Sequence, residues 1–208
     1  MFNALTSQIF YEIRDGEKTA QYNLLVIDLG YAQARNKSCG LAWKTEDGTT
    51  KSENLNFENA VMKVRDTLLA FPKARTRLLV IEAPLSMCHD DGCPTFRGTF
   101  EGPRKRRSKN GKPYWPTFGW YHAPAASVTL GAIRFLTQLS RLWGTNGSIY
   151  LAEAFLSDKA RKKTDHRDDA KRTFTTFFDG DPEVLKATGI EPISTLILGG
   201  IPLVRLYR

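Results

Sequence analysis

Two kinds of apolar pattern alternate along the chain, and together they predict its elements. Short aliphatic blocks bounded by glycine or proline, Asn23–Leu29 and Arg77–Ala83, read as central strands covered on both faces. Ser38–Lys44 and Thr49–Leu55 read as two more strands, joined through the turn signal Glu46-Asp47-Gly48. The short connections predict an antiparallel meander of the first three strands. The period then changes. Phe57, Val61, Val64, Leu68 and Phe71 recur every three or four residues, a helix over Phe57–Phe71 that Pro72 ends. A helix between strands makes a crossover, so Arg77–Ala83 is expected to run parallel to the first strand. Pro124–Trp143 is a second helix, with Val128, Ile133, Leu136, Leu139 and Leu142 inward and Gly144 as its stop. Ser148–Ala154 is a fifth strand, and Asp165–Phe178 a third helix with Ala170, Phe174, Phe177 and Phe178 on one stripe. The order β-β-β-α-β-α-β-α predicts an α/β domain. It has a mixed five-stranded sheet, three antiparallel strands followed by parallel crossovers, with flanking helices.

This domain spans residues 22–180. Residues 1–21 read as an extension with an edge strand around Gln8–Arg14, closed by Asp15-Gly16. Residues 181–208 read as a tail docked on the domain, with Asp181-Pro182 opening and Gly189 closing a two-turn helix. Pro84–Tyr121 carries few regular signals over a length that points to function or mobility, and about 87–121 of it form an insertion. A chain of 208 residues, 41% hydrophobic and 25% charged, suits one sizeable core in a soluble globular protein. No apolar run approaches the ~20 residues of a membrane span. The first residues show no basic start, apolar core or cleavage site of a signal peptide. Three cysteines, an odd and sparse set, fit a reducing compartment, so a cytoplasmic location is expected.

Net charge changes the picture. The formal value is +8, and seven Lys or Arg lie between Arg97 and Trp115 against the single Glu101. Arg97, Arg104, Lys105, Arg106, Arg107, Lys109 and Lys112 would neutralise phosphates, and Tyr114, Trp115, Phe118, Trp120 and Tyr121 follow at once. Exposed aromatics stack on unpaired bases for ~1–3 kcal/mol each, so the segment reads as a nucleic-acid-binding arm. The plainer reading is a mini-core holding a solvated loop.

The two central strands each end on an acid, Asp28 in LLVIDLG and Glu82 in LLVIEAP. On neighbouring strands these carboxylates lie about 4.8 Å apart at the rim of the sheet. Like charges at that distance repel, and a divalent cation is the natural bridge. Taken singly, Asp28 could cap a turn and Glu82 could pair with an arginine. Glu153, ending SIYLAE, is either a further rim acid or a surface residue.

The order of elements and the places of these acids resemble the RNase H-like superfamily, and most closely the RuvC-type resolvases and related predicted nucleases. VIDLGY looks like the strand-one motif and VIEAPLS the strand-four motif. His166-Arg167-Asp168-Asp169-Ala170 looks like the last-helix motif. The resemblance spans Tyr22–Phe178; residues 87–121 have no counterpart in it. It implies two divalent cations, Mg²⁺ or Mn²⁺, and a catalytic set of Asp28, Glu82, Asp169 and His166, with Asp165 and Asp168 as further metal ligands. It also implies hydrolysis of DNA or RNA phosphodiester bonds, on structured or single-stranded substrates, by a two-metal mechanism. Resolvases of this type act as dimers, which suggests a homodimer or a place in a larger complex.

Helix geometry sorts the candidates separately. Positions 166, 169, 170, 173, 174 and 177 share one face, while Asp168 lies with Lys171, Arg172 and Thr175 on the other. With Thr164 as N-cap, Asp165 falls in the first turn, where it complements the helix dipole. Cys88, His89 and Cys93 allow a zinc reading completed by Cys39 or His122, at a spacing unlike common fingers. His122 otherwise reads as a cap or packing residue.

Two other functions compete. One is a catalytically inactive RNase H-like subunit that binds nucleic acid within a larger complex. The other is an actin-like phosphotransferase, suggested by Asp28-Leu29-Gly30. Those enzymes need two such domains and a Ser or Thr where this chain has Tyr31.

Overall fold

The aliphatic blocks occupy the middle of one sheet. A computed structural model of the chain describes residues 2–4, 22–30, 38–83, 85, 124–153, 165–179, 195–198 and 201–205. Strand β2 (Tyr22–Leu29) lies parallel to β5 (Thr76–Glu82), from Tyr22 opposite Thr76 to Asp28 opposite Glu82. On the other side of β2 comes β3 (Cys39–Lys44), antiparallel, and then β4 (Thr50–Leu55), antiparallel again. The β3–β4 turn is held by Asp47, whose Oδ1 accepts from Thr45 Oγ1 at 2.5 Å and Thr49 N at 2.9 Å. Those hydrogen bonds, Thr45 first, pull its carboxyl down to about 2. Beyond β5 lies β6 (Ile149–Glu153), parallel, and β1 (Phe2–Ala4) runs parallel to β6 at the far edge. The result is a mixed six-stranded α/β sheet, ordered β1-β6-β5-β2-β3-β4.

Alternation along the strands divides the core. Leu25, Ile27, Leu41, Leu79, Ile81 and Leu151 face one layer, covered by helices α1 (Phe57–Ala70) and α2 (Pro124–Trp143). Leu24, Val26, Ala42, Leu78, Val80 and Ala152 face the other, under Ala170 and Phe174 of helix α3 (His166–Asp179). Helix α1 begins at Asn56, whose side chain accepts from Asn59 N at 2.8 Å. It ends because Pro72 disfavours helical backbone at Phe71, which is extended.

Arg77 ties three elements together from inside. Its buried guanidinium donates from Nε to the Leu68 carbonyl (2.9 Å) and from Nη1 to the Asn146 carbonyl (3.2 Å), and it lies over the Trp143 ring. Arg77→Ala strands two carbonyls and removes the packed stem. It should cost ~3 kcal/mol of stability by chemical denaturation; a loss under ~1 kcal/mol would mean that water replaces the guanidinium at no penalty.

Three expectations change. The sheet has six strands, not five, because residues 2–4 add to the exposed edge of β6; three residues are too few to show a period. The strand expected at Gln8–Arg14 lies outside the described residues. Within the expected helical tail, β7 (Thr195–Leu198) and β8 (Ile201–Arg205) form an antiparallel hairpin. The two-turn helix expected before it lies outside the described residues. Leu142 is 42% exposed, because the inward stripe of α2 passes through Ala132, Phe135, Leu136, Leu139 and Trp143. Among the described residues, no helix is long and apolar enough to cross a membrane.

Candidate active site at the carboxyl ends of β2 and β5

Four strands carry one row of residues at this end of the sheet. Asn54 on β4 is opposite Gly40 on β3, Gly40 is opposite Asp28, and Asp28 is opposite Glu82. Paired residues share a face. Asp28 and Glu82 follow Val26 and Val80 by two positions, so the row belongs to the α3 side of the sheet. Both acids are buried, 4% and 8% exposed. They stand one strand spacing apart, ~4.8 Å, where two negative charges need a positive or protic partner.

His166 meets that need for Asp28. Its Nδ1 lies 2.8 Å from Asp28 Oδ2. A carboxylate only accepts, so Nδ1 carries the proton and donates it to Asp28. Two glycines make room. A Cβ at Gly30 would stand 2.5 Å from His166 Nε2 and 2.7 Å from Cε1, and would overlap the Ser38 carbonyl. A Cβ at Gly40 would overlap the His166 carbonyl and the Arg167 amide nitrogen. The first turn of α3 thus rests directly on β3.

Asp165 is the N-cap of α3, in place of the expected Thr164. Its Oδ1 accepts from Asp168 N (2.9 Å) and its carbonyl from Asp169 N (3.0 Å), the cap geometry an aspartate's short side chain favours. Its Oδ2 accepts from Asn54 Nδ2 at 2.8 Å. Partial desolvation raises its pKa, but the Asp168 amide, Asn54 and Arg167 together outweigh that and leave it below the ordinary aspartate value. The stability this adds is present above the ordinary aspartate range and is lost as pH falls through the lowered folded value.

Asp169 is buried, 3% exposed, with Ala170, Thr173 and Phe174 on the sheet side of α3. Asp168 is exposed and held by Arg167, 3.1 Å from Nη2. The fold therefore brings Asp28 and Glu82 to one row, puts His166 on Asp28, and sets Asp169 on the inner face of the same helix as His166. It leaves Asp165 at the cap, bonded to β4, and Asp168 on the solvent side. Glu153 is opposite Ile81, one position out of the Asp28–Glu82 row. Cys39, opposite Leu29, is buried; desolvation first, then the nearby Asp28 charge, pushes its thiol up to about 11 against the Ser38 hydrogen bond. Arg97, Arg104, Lys105, Arg106, Arg107, Lys109, Lys112, Tyr114, Trp115 and Trp120 lie outside the described residues, as do Cys88, His89, Cys93 and His122. Asn54 and Gly40 stand outside every motif of the sequence. Gly40 carried a signal, since a glycine inside a strand marks close approach of another backbone.

The donor set is all carboxylate apart from one imidazole, which suits Mg²⁺ or Mn²⁺ in kind. Among the described residues, no three such side chains group closely enough to hold a metal ion. No family model, no curated protein and no solved structure matches the chain.

Proposed function

We propose that the chain is a metal-dependent nuclease of RNase H-like architecture that hydrolyses phosphodiester bonds in DNA or RNA. The observation that carries this reading is the register of Asp28 and Glu82 on adjacent parallel strands, with His166 on Asp28. The three-strand meander followed by parallel strands, with α3 across the acid row, supports the RuvC-like assignment. The sparse cysteines support a cytoplasmic setting, and the basic, aromatic segment supports a nucleic-acid substrate.

Asp28, Glu82 and Asp169 would hold Mg²⁺ or Mn²⁺, which when bound neutralises phosphate charge and acidifies a coordinated water. The chain's own part is proton handling and alignment. Asp28 fixes the His166 tautomer, leaving Nε2 to accept the proton of the attacking water. Burial of Asp28 and Glu82 excludes competing water and strengthens their attraction for the cations. The basic segment would neutralise the phosphates flanking that bond.

Cleavage of branched, single-stranded and hybrid substrates with Mg²⁺, Mn²⁺ or a chelator tests the reading. Metal-dependent products are expected from at least one substrate class, and His166→Ala should lower their rate by ~10²–10⁴-fold. Tight binding without metal-stimulated cleavage would favour the inactive subunit instead.

A further inference from the structure

Asn54 belongs to no acid motif and lies on the edge strand, two strands from Asp28. Its carboxamide nevertheless makes two hydrogen bonds, one to each neighbour of His166. Nδ2 donates to Asp165 Oδ2 at 2.8 Å, and Oδ1 accepts from Arg167 N at 2.9 Å. Asp165 in turn caps the Asp168 amide. The chain on both sides of His166 is thereby fastened to β4, while Gly40 lets the His166 carbonyl settle on β3.

This matters because packing does not lock the imidazole: 34% of the His166 side chain is exposed. An unheld first turn frays, since its leading amides have no intrahelical partner. Arg167 N and Asp168 N are two of those amides, and side chains satisfy both. With the backbone fixed, the hydrogen bond to Asp28 aims the ring.

We propose that Asn54 is a positioning residue for His166: its bridge between Asp165 and Arg167 sets the start of α3 so that Nδ1 stays on Asp28. The kinetic meaning of this role rests on the nuclease reading; the geometric one does not. A carboxamide is required, because the position must donate to a carboxylate and accept from an amide at once.

The test uses the full-length, ¹⁵N-labelled chain without metal. A His166 Nδ1 proton held on a carboxylate should resonate far downfield and exchange slowly. Asn54→Leu, nearly isosteric, should lose that resonance while the melting transition stays cooperative. The swap Asn54→Asp with Asp165→Asn exchanges donor and acceptor, keeps a good N-cap, and should restore it. Metal-supported turnover should follow: kcat down ~10-fold or more in Asn54→Leu with KM within about twofold, and recovered in the swap. A resonance missing from the wild-type chain, unchanged in Asn54→Leu, or still absent in the swap would overturn the proposal. Failure of wild-type protein to cleave any substrate would instead remove the nuclease reading, and the resonance would still decide the role of Asn54.

Discussion

Asp28→Asn should reduce phosphodiester cleavage by ~10³-fold or more, with folding intact. The carboxamide is isosteric, so packing beneath α3 is kept. It nevertheless loses the negative charge needed for a cation, and its NH₂ can face His166 Nδ1, inverting the tautomer the reaction uses. Both losses fall on one residue, which is why this change should outweigh Glu82→Gln. Glu82→Gln loses only the charge and should cost less, ~10²-fold, on the scale of one preorganised electrostatic contact. Cleavage rates under saturating Mn²⁺, beside thermal melts of each variant, check the order. Equal losses for the two would mean that the His166 contact adds nothing to Asp28.

Gly40→Ala should be nearly as damaging for activity, although it changes no functional group. Its Cβ would meet the His166 carbonyl and the Arg167 nitrogen, which are backbone atoms of a helix and cannot rotate aside. Helix α3 must therefore lift from β3. Overpacking of this kind costs ~1–3 kcal/mol, and a displacement of ~1 Å at the His166–Asp28 pair costs ~10²-fold in rate. Gly48→Ala is the matched control. Gly48 sits in the β3–β4 turn at φ +83°, where alanine is strained by ~1 kcal/mol yet far from the acid row. Denaturation curves and cleavage rates measured on both variants separate stability from alignment. Loss of stability without loss of rate in Gly40→Ala would show that the α3 contact is structural only.

The legible parts of this molecule are those where a period and a chemical group coincide. Asp28 and Glu82 end aliphatic blocks of matching length, so their register could be read once a crossover made the strands parallel. On α3, a 3.6-residue period separated buried Asp169 from exposed Asp168. What escaped the sequence lacks either period or context. Residues 2–4 are too few to alternate. Asn54 looks like any polar residue of an edge strand, and its partners lie more than a hundred residues away in sequence. Thr164 and Asp165 are both good caps by residue type, and only the hydrogen bond to the Asp168 amide decides between them. The hairpin of β7 and β8 did carry a signal, the Gly199-Gly200 pair between two apolar runs.

The nuclease proposal requires that the two carboxylates that end β2 and β5 share a divalent cation. Crystals grown with Mn²⁺, with anomalous data collected at the manganese edge, examine that claim at the atoms concerned. The account predicts a peak bounded by the carboxylates of Asp28 and Glu82, with Asp169 as the third protein ligand, absent from crystals of Asp28→Asn. A map with no peak between Asp28 and Glu82 at millimolar Mn²⁺, or a peak that persists in Asp28→Asn, would contradict it.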